Sequence, residues 1–175
     1  MEIVLEKLPA TLELTLLGVG LAIVLAIPIG ILAALRPGRA LDQSTVAFSL
    51  AGLSIPQFWL GLLLIYVFAV RLQWLPTSGS GTPAHVLLPM ITMALPALAR
   101  LVMTVRSAMI DELNQQYVKT ARAKGLPLAR VVGVHALRNA LVPVLTLAGW
   151  EAIRALAGYS VVVETVVAWP GLGLA

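Results

Sequence analysis

Glu151, Arg154 and Glu164 are the only charged residues after Asn139, in a stretch that is otherwise apolar. A charge inside lipid is costly, so such residues pair or face a cavity, and they mark pathways. Glu151 and Arg154 stand three apart on one helix face and are expected to pair, either as the polar lining of a path or as a link between two helices. Glu164 either orients a gate segment or sits at headgroup depth. A second group, Lys119, Arg122 and Lys124, precedes Gly125 and is followed by His135, Arg138 and Asn139. These bases suit charge-assisted bonds to an acidic surface. No phosphate-binding Gly-x-x-x-x-Gly-Lys-Ser/Thr loop is present, and no set of nucleophile, base and orienting group can be assembled. With no cysteine and two histidines, His85 and His135, fifty residues apart, thiolate metal sites and multi-histidine cages are not expected. The chain is not read as an enzyme.

The elements that must position these residues are membrane helices. Of 175 residues 59% are hydrophobic and only 11% charged, against about 25% charged in soluble domains. That composition excludes an ordinary soluble enzyme and also a disordered chain. Leu14 to Leu35 gives 22 uncharged residues, enough for one crossing of a ~30 Å hydrocarbon layer. A second uncharged stretch, Gln43 to Val70, is interrupted by Gly52, Pro56 and Gly61 and is expected to start obliquely or kink. Thr82 to Ala99 forms a third, with Pro89 and Pro96 as bend points, and a fourth begins near Ala140. Tyr159 to Trp169, eleven residues long, is too short to span and reads as re-entrant or gate-like.

Basic residues orient the bundle. Arg36 to Asp42 carries two and Arg100 to Arg138 seven, whereas the Arg71 to His85 segment, with its turn-forming Ser78 to Gly81, carries only Arg71. Both basic segments are therefore placed in the cytoplasm, with the N-terminus and the Arg71 loop outside. An external start with no preceding helix implies that it inserts unaided or that an upstream helix is missing. Gly18, Ala22, Ala26, Gly30 and Ala34 recur every fourth residue and predict a close-packing face. Trp59, Trp74, Trp150 and Trp169 are expected as interface anchors.

The polar segment 109–139 is longer than a plain connector. Asp111 and Glu112 precede Lys119, Arg122 and Lys124 in the order that a helix dipole favours. The segment reads as two short helices around a Gly125-Leu126-Pro127 bend, whose apolar positions Val118, Ala121, Leu126, Val131, Val134 and Leu137 face the bundle. An amphipathic pair lying on anionic lipid would use the same bases.

Tyr117-Val-Lys-Thr-Ala-Arg-Ala-Lys-Gly125-Leu126, then His135-Ala-Leu-Arg-Asn139, resembles the signature cytoplasmic loop of ABC-importer permeases. Ala121, Gly125 and Leu137 match its general form. Lys119, Thr120, His135 and Arg138 depart from it as the dipeptide, oligopeptide and nickel branch does. Leu8-Pro-Ala-Thr-Leu-Glu-Leu14, Ser54-Ile-Pro-Gln-Phe-Trp-Leu60 and Val163-Glu-Thr-Val-Val-Ala-Trp-Pro-Gly-Leu-Gly173 are similar to the same branch.

The resemblance implies an all-α, polytopic bundle of about four to five transmembrane or re-entrant segments with a cytoplasmic coupling loop, as in type I ABC importers. Residues 1–175 would be one permease domain, resembling the central part of a longer chain, with coupling loop 109–139. The implied setting is a bacterial or archaeal inner membrane. The implied partners are cytoplasmic ABC ATPase subunits, a second homologous permease, an external substrate-binding protein and membrane lipid, with no nucleic acid. ATP and Mg would be used by the ATPase, and this chain would bind no cofactor. Ala121, Gly125 and Leu126 are expected to fit the docking groove, and Lys119, Arg122 and Lys124 to supply charge, within the wider set Thr120, Ala123 and Leu137. For His135, Arg138 and Asn139 two roles are open, a direct contact with the ATPase or capping and tethering of the fourth span's start, and tethering is the favoured one. The branch offers dipeptides, oligopeptides, nickel complexes and glutathione as cargo, and a pathway lined by Glu151 and Arg154 suits zwitterionic peptides. An ion-coupled carrier using Glu151, Arg154 and Glu164, or a non-transporting piece, are the rival readings.

Overall fold

The computed structural model describes residues 2–77 and 82–174, so the turn expected at Ser78 to Gly81 lies outside the described residues. Helix α1 (Glu2–Ala34) extends well before the expected Leu14. Its small residues turn inward: Gly18, Ala22, Ala26, Gly30 and Ala34 are all buried. They lie against α4 (Pro83–Leu113). A Cβ on Gly18 would stand 3.0 Å from that of Met93, and one on Gly30 only 2.6 Å from that of Val105. Glycine lets the two backbones approach where lipid supplies no hydrophobic drive for association. Because 18 meets 93 and 30 meets 105, α1 and α4 run parallel, and the chain between them must return across the bundle.

That return is made by α2 (Ala40–Ser54), α3 (Gln57–Leu64) and a π-helical turn, Ile65–Arg71. The expected kink is a 99° bend between Ser54 and Gln57. Pro56 disfavours the helical conformation at Ile55, whose backbone is extended. Among the described residues three helices, Glu6–Ala34, Pro83–Leu113 and Leu128–Gly158, are long and apolar enough to cross a membrane, and the bent pair meets the same test when its two halves are taken together.

The third helix differs from expectation. It runs on through Ala99 to Leu113, roughly 46 Å at 1.5 Å per residue, so Arg100 and Arg106 belong to the helix and not to a loop. Pro89 and Pro96 are accommodated inside it. Pro96 cannot donate to the Thr92 carbonyl one turn earlier, and Gln57 Nε2 donates to that oxygen instead at 3.4 Å. A neighbouring helix thus satisfies the group that proline leaves open.

Helix α5 (Gln116–Ala123) follows, then the turn at Gly125, whose φ of +78° favours glycine. The expected second short helix is instead the start of the fourth span. α6 (Leu128–Arg130), a π-helical segment Val131–Ala136 and α7 (Leu137–Arg154) form one continuous rod with no break near Ala140. The hydrophobic face of Val131 and Ala136 packs into the same core as α4, so the rod has no reason to end there. A further π-helical turn and a non-helical Gly158 precede α8 (Ser160–Val167), the short segment expected from its length.

Replacing Gly30 with leucine should overpack the α1–α4 contact and lower stability by about 1–3 kcal/mol. Gly20→Leu, whose Cβ would meet nothing within 4 Å, should be near neutral. Unfolding in mixed detergent and SDS, followed by circular dichroism, distinguishes the two, and equal effects would remove the close contact.

Candidate translocation and coupling site

The intramembrane charges converge on Glu151. It is 4% exposed and accepts from Arg100 Nε at 2.6 Å and Nη2 at 2.8 Å, a bidentate pair between α7 and α4. Arg154, expected as its partner, lies at 3.9 Å and is the weaker contact. Two guanidiniums therefore flank one carboxylate. Beside them is a cavity of about 20 Å³ lined by Gln57, Pro96, Arg100 and Glu151 among others, room for one water. A second buried pair lies nearer the Arg36 end of α1. Asp42 accepts from Arg106 Nη2 at 2.8 Å and from the Gly38 N–H at 2.8 Å, with Arg106 Nε on its other oxygen. The loop after α1 is thereby pinned to α4.

At the end that charge counting assigns to the cytoplasm, α5 lies on the bundle by one face. Val118 and Ala121 are buried, Leu126 packs on the same core, and Lys119, Thr120, Arg122, Ala123, Lys124 and Gly125 are exposed. A polar joint fixes its start. Tyr117 donates to Glu112 at the end of α4, and Asn139 Nδ2 donates to the Tyr117 hydroxyl at 3.1 Å and reaches Glu112 at 3.4 Å. Shielding of the phenol and its bond to Glu112 push Tyr117's ionisation above the ordinary range, so the group stays a donor.

At the opposite end α8 meets the start of α1. Glu164, fully buried, accepts from the Thr11 hydroxyl at 2.6 Å and from the Gly173 N–H at 2.7 Å. The Leu172 N–H donates to Thr11 Oγ1 at 3.0 Å, and the Trp169 indole to the Ala10 carbonyl at 3.2 Å. A Cβ on Gly171 would lie 2.3 Å from the Glu164 carboxyl, so the carboxylate occupies space that only glycine leaves. Trp169, 5% exposed, is part of this clasp and not the interface anchor expected of it, whereas Trp59, Trp74 and Trp150 are exposed.

Residues 26–175 match the family model described as the inner membrane component of binding-protein-dependent transport systems. The chain belongs to this permease family. The oligopeptide transport permease AppB of Bacillus subtilis is 44% identical over 182 residues, covering 98% of this chain and 57% of that protein. The di/tripeptide permease DppB of Pseudomonas aeruginosa is 41% identical, covering 97% and 58%, and the glutathione permease GsiC of Escherichia coli K12 is 41% identical, covering 93% and 53%. The permease thus spans little more than half the length of these relatives. The crystal structure of an amino acid ABC transporter with histidines superposes with a TM-score of 0.72 at 19% identity, covering 98% of this chain and 74% of that one, and shares the fold.

In this permease the predicted loop residues gather at one end, while Glu151 and Arg154 lie in the span and Glu164 at the far end. Sequence reasoning missed Arg100, Asp42, Arg106 and Thr11 as partners. Arginines in α4, far from any turn signal, were the available clue.

Because breaking a buried pair leaves an uncompensated charge, Glu151→Leu, which strands Arg100, should cost about 3 kcal/mol or more. Arg100→Leu should cost less, since Arg154 remains nearby, and the Arg100→Leu/Glu151→Leu pair should recover part of the loss. Unfolding midpoints in SDS check the order, and additive losses would show that the two side chains do not interact.

Proposed function

We propose that this permease forms part of the membrane path of an ATP-driven importer of short peptides, and that α5 is its contact with a separate cytoplasmic ATPase. The observation that carries this reading is the two-sidedness of α5. Its apolar face is seated through Val118 and Ala121, its start is tied down by Tyr117 and Asn139, and its cationic face is unobstructed. A lever must be stiff on one side and sticky on the other, and this helix meets both needs. The docking surface is then Lys119, Arg122 and Lys124, with Thr120, Ala123 and Gly125 allowing close approach. Ala121 and Leu126 act from beneath by holding the helix in register, a different role from the groove contact expected of them. Asn139 supplies the tether, together with the His135 carbonyl, which lies 3.4 Å from the Tyr117 hydroxyl, while Arg138 is exposed beside it.

Peptide-like cargo is favoured because the relatives named above include oligopeptide, di/tripeptide and glutathione permeases. The bidentate hold on Glu151 favours an importer over an ion-coupled carrier. A coupling carboxylate must be free to take up and release its ion, and Glu151 is held by a bidentate arginine. A second permease subunit, an external binding protein and ATP with Mg on the ATPase complete the system in this reading.

The test is co-purification with the cognate ABC ATPase subunits in detergent. Wild type should retain them, and Lys119→Glu/Arg122→Glu, which reverses two exposed charges, should weaken retention by more than tenfold, since charge-assisted bonds contribute about 1.5–3 kcal/mol each. Arg130→Glu, outside α5 and also exposed, should retain the ATPase. Equal capture of all three would overturn the docking surface.

A further inference from the structure

The seam between α1 and α8 is built unlike the one between α1 and α4. Where α1 meets α4 the contacts are apolar and interlocked, Gly30 against Val105. Where it meets α8, a small apolar cluster of Leu14, Val163, Val167 and Trp169 is accompanied by buried polar groups: Thr11 and Thr15 one turn apart on α1, Ser160 and Glu164 one turn apart on α8, none more than 2% exposed. Water can replace every hydrogen bond that holds such a seam, so parting it exchanges bonds and does not simply lose them. The hydroxyls of Thr15 and Ser160 have no protein partner in the closed arrangement, and they gain one when water enters.

Two backbone features allow α8 to move as a unit. Non-helical Gly158 separates it from the long rod before it. At its other end Ala168 has a φ of +52°, a left-handed conformation that a β-carbon resists. Such a conformation persists when its surroundings impose it. Here the neighbouring Trp169 donates its backbone N–H to the Glu164 carbonyl at 2.9 Å and its indole to Ala10. Opening the seam would relax Ala168.

We propose that the α1–α8 seam is where this end of the bundle opens, and that Glu164 is the positioning residue that latches it shut through Thr11 and the Gly173 backbone. The inference rests on the transport reading above only for what drives the opening.

Residues 1–175 contain no cysteine, so Ser160→Cys adds one reporter within the seam, read against the same assembly carrying Ser160. Its reaction rate with a membrane-impermeant maleimide is measured on the assembled transporter in proteoliposomes. Thr11→Val removes the hydroxyl that donates to Glu164 and accepts from the Leu172 N–H, and Glu164→Gln leaves one acceptor oxygen for two donors, the Thr11 hydroxyl and the Gly173 N–H. Each should speed labelling by about tenfold, the loss of roughly one charge-assisted hydrogen bond. Thr11→Ser keeps the hydroxyl and should label at the parental rate. A parallel reporter, Ala26→Cys, buried against α4, should stay unreactive in every background, which separates opening of the seam from general unfolding. Unchanged labelling in both Thr11→Val and Glu164→Gln would overturn the latch, and so would equal acceleration by Thr11→Ser. If the variants accelerate labelling while ATP leaves the parent unmoved, the latch stands and the ATPase-coupling reading fails instead.

Discussion

The near contact of the α1 and α4 backbones is the constraint on which the rest of this structure is built. In lipid, apolar side chains gain nothing by leaving their surroundings, so association comes from close packing. Gly18 and Gly30 allow that packing, and the register they impose makes the two helices parallel. Everything between them is then obliged to cross back. The bend at Pro56 serves that crossing, because α2 and α3 lean on α4 at different angles while each satisfies its own backbone. Gln57, just past the bend, reaches the Thr92 carbonyl that Pro96 leaves open. A break in one helix thus repairs a gap in another.

Charge follows the same geometry. With α4 fixed beside α1, Arg106 comes to Asp42 and Arg100 to Glu151, each through two parallel N–H groups. A bidentate fork fixes orientation as well as distance. These pairs join α4 to α2 at one level and to α7 at another, so the long central helix is held against rotation by side chains on two of its flanks.

Much of this was legible in the sequence, and the part that was not has a common cause. The four-residue recurrence from Gly18 to Ala34, the interruption at Pro56, the shortness of the segment before Trp169 and the loop signature around Gly125 are local patterns, and local patterns determine local structure. Partners are not local. Helix periodicity pairs Glu151 with Arg154, three residues away, and that contact exists at 3.9 Å, but the stronger partner, Arg100, is 51 positions distant and periodicity reveals only near neighbours. Glu164 was singled out as a lone intramembrane charge, but Thr11 is 153 positions away and carries no charge to announce it. The end of α4, well beyond the expected Ala99, escapes a local reading for a related reason. Positive-inside counting takes an arginine as the edge of a span, and Arg100 and Arg106 sit inside one because each has an acid waiting for it.

The joint formed by Tyr117, Glu112 and Asn139 brings together the end of α4, the start of α5 and the start of α7. Mechanically it is a shared footing. A load applied to α5 reaches α4 and α7 together, so those two helices travel as one body and the Arg100–Glu151 fork between them feels little shear. On the proposed reading, in which an ATPase pushes on α5, displacement would then emerge at the far end, where neutral hydrogen bonds and a single carboxylate, not bidentate ion pairs, hold α8 to α1.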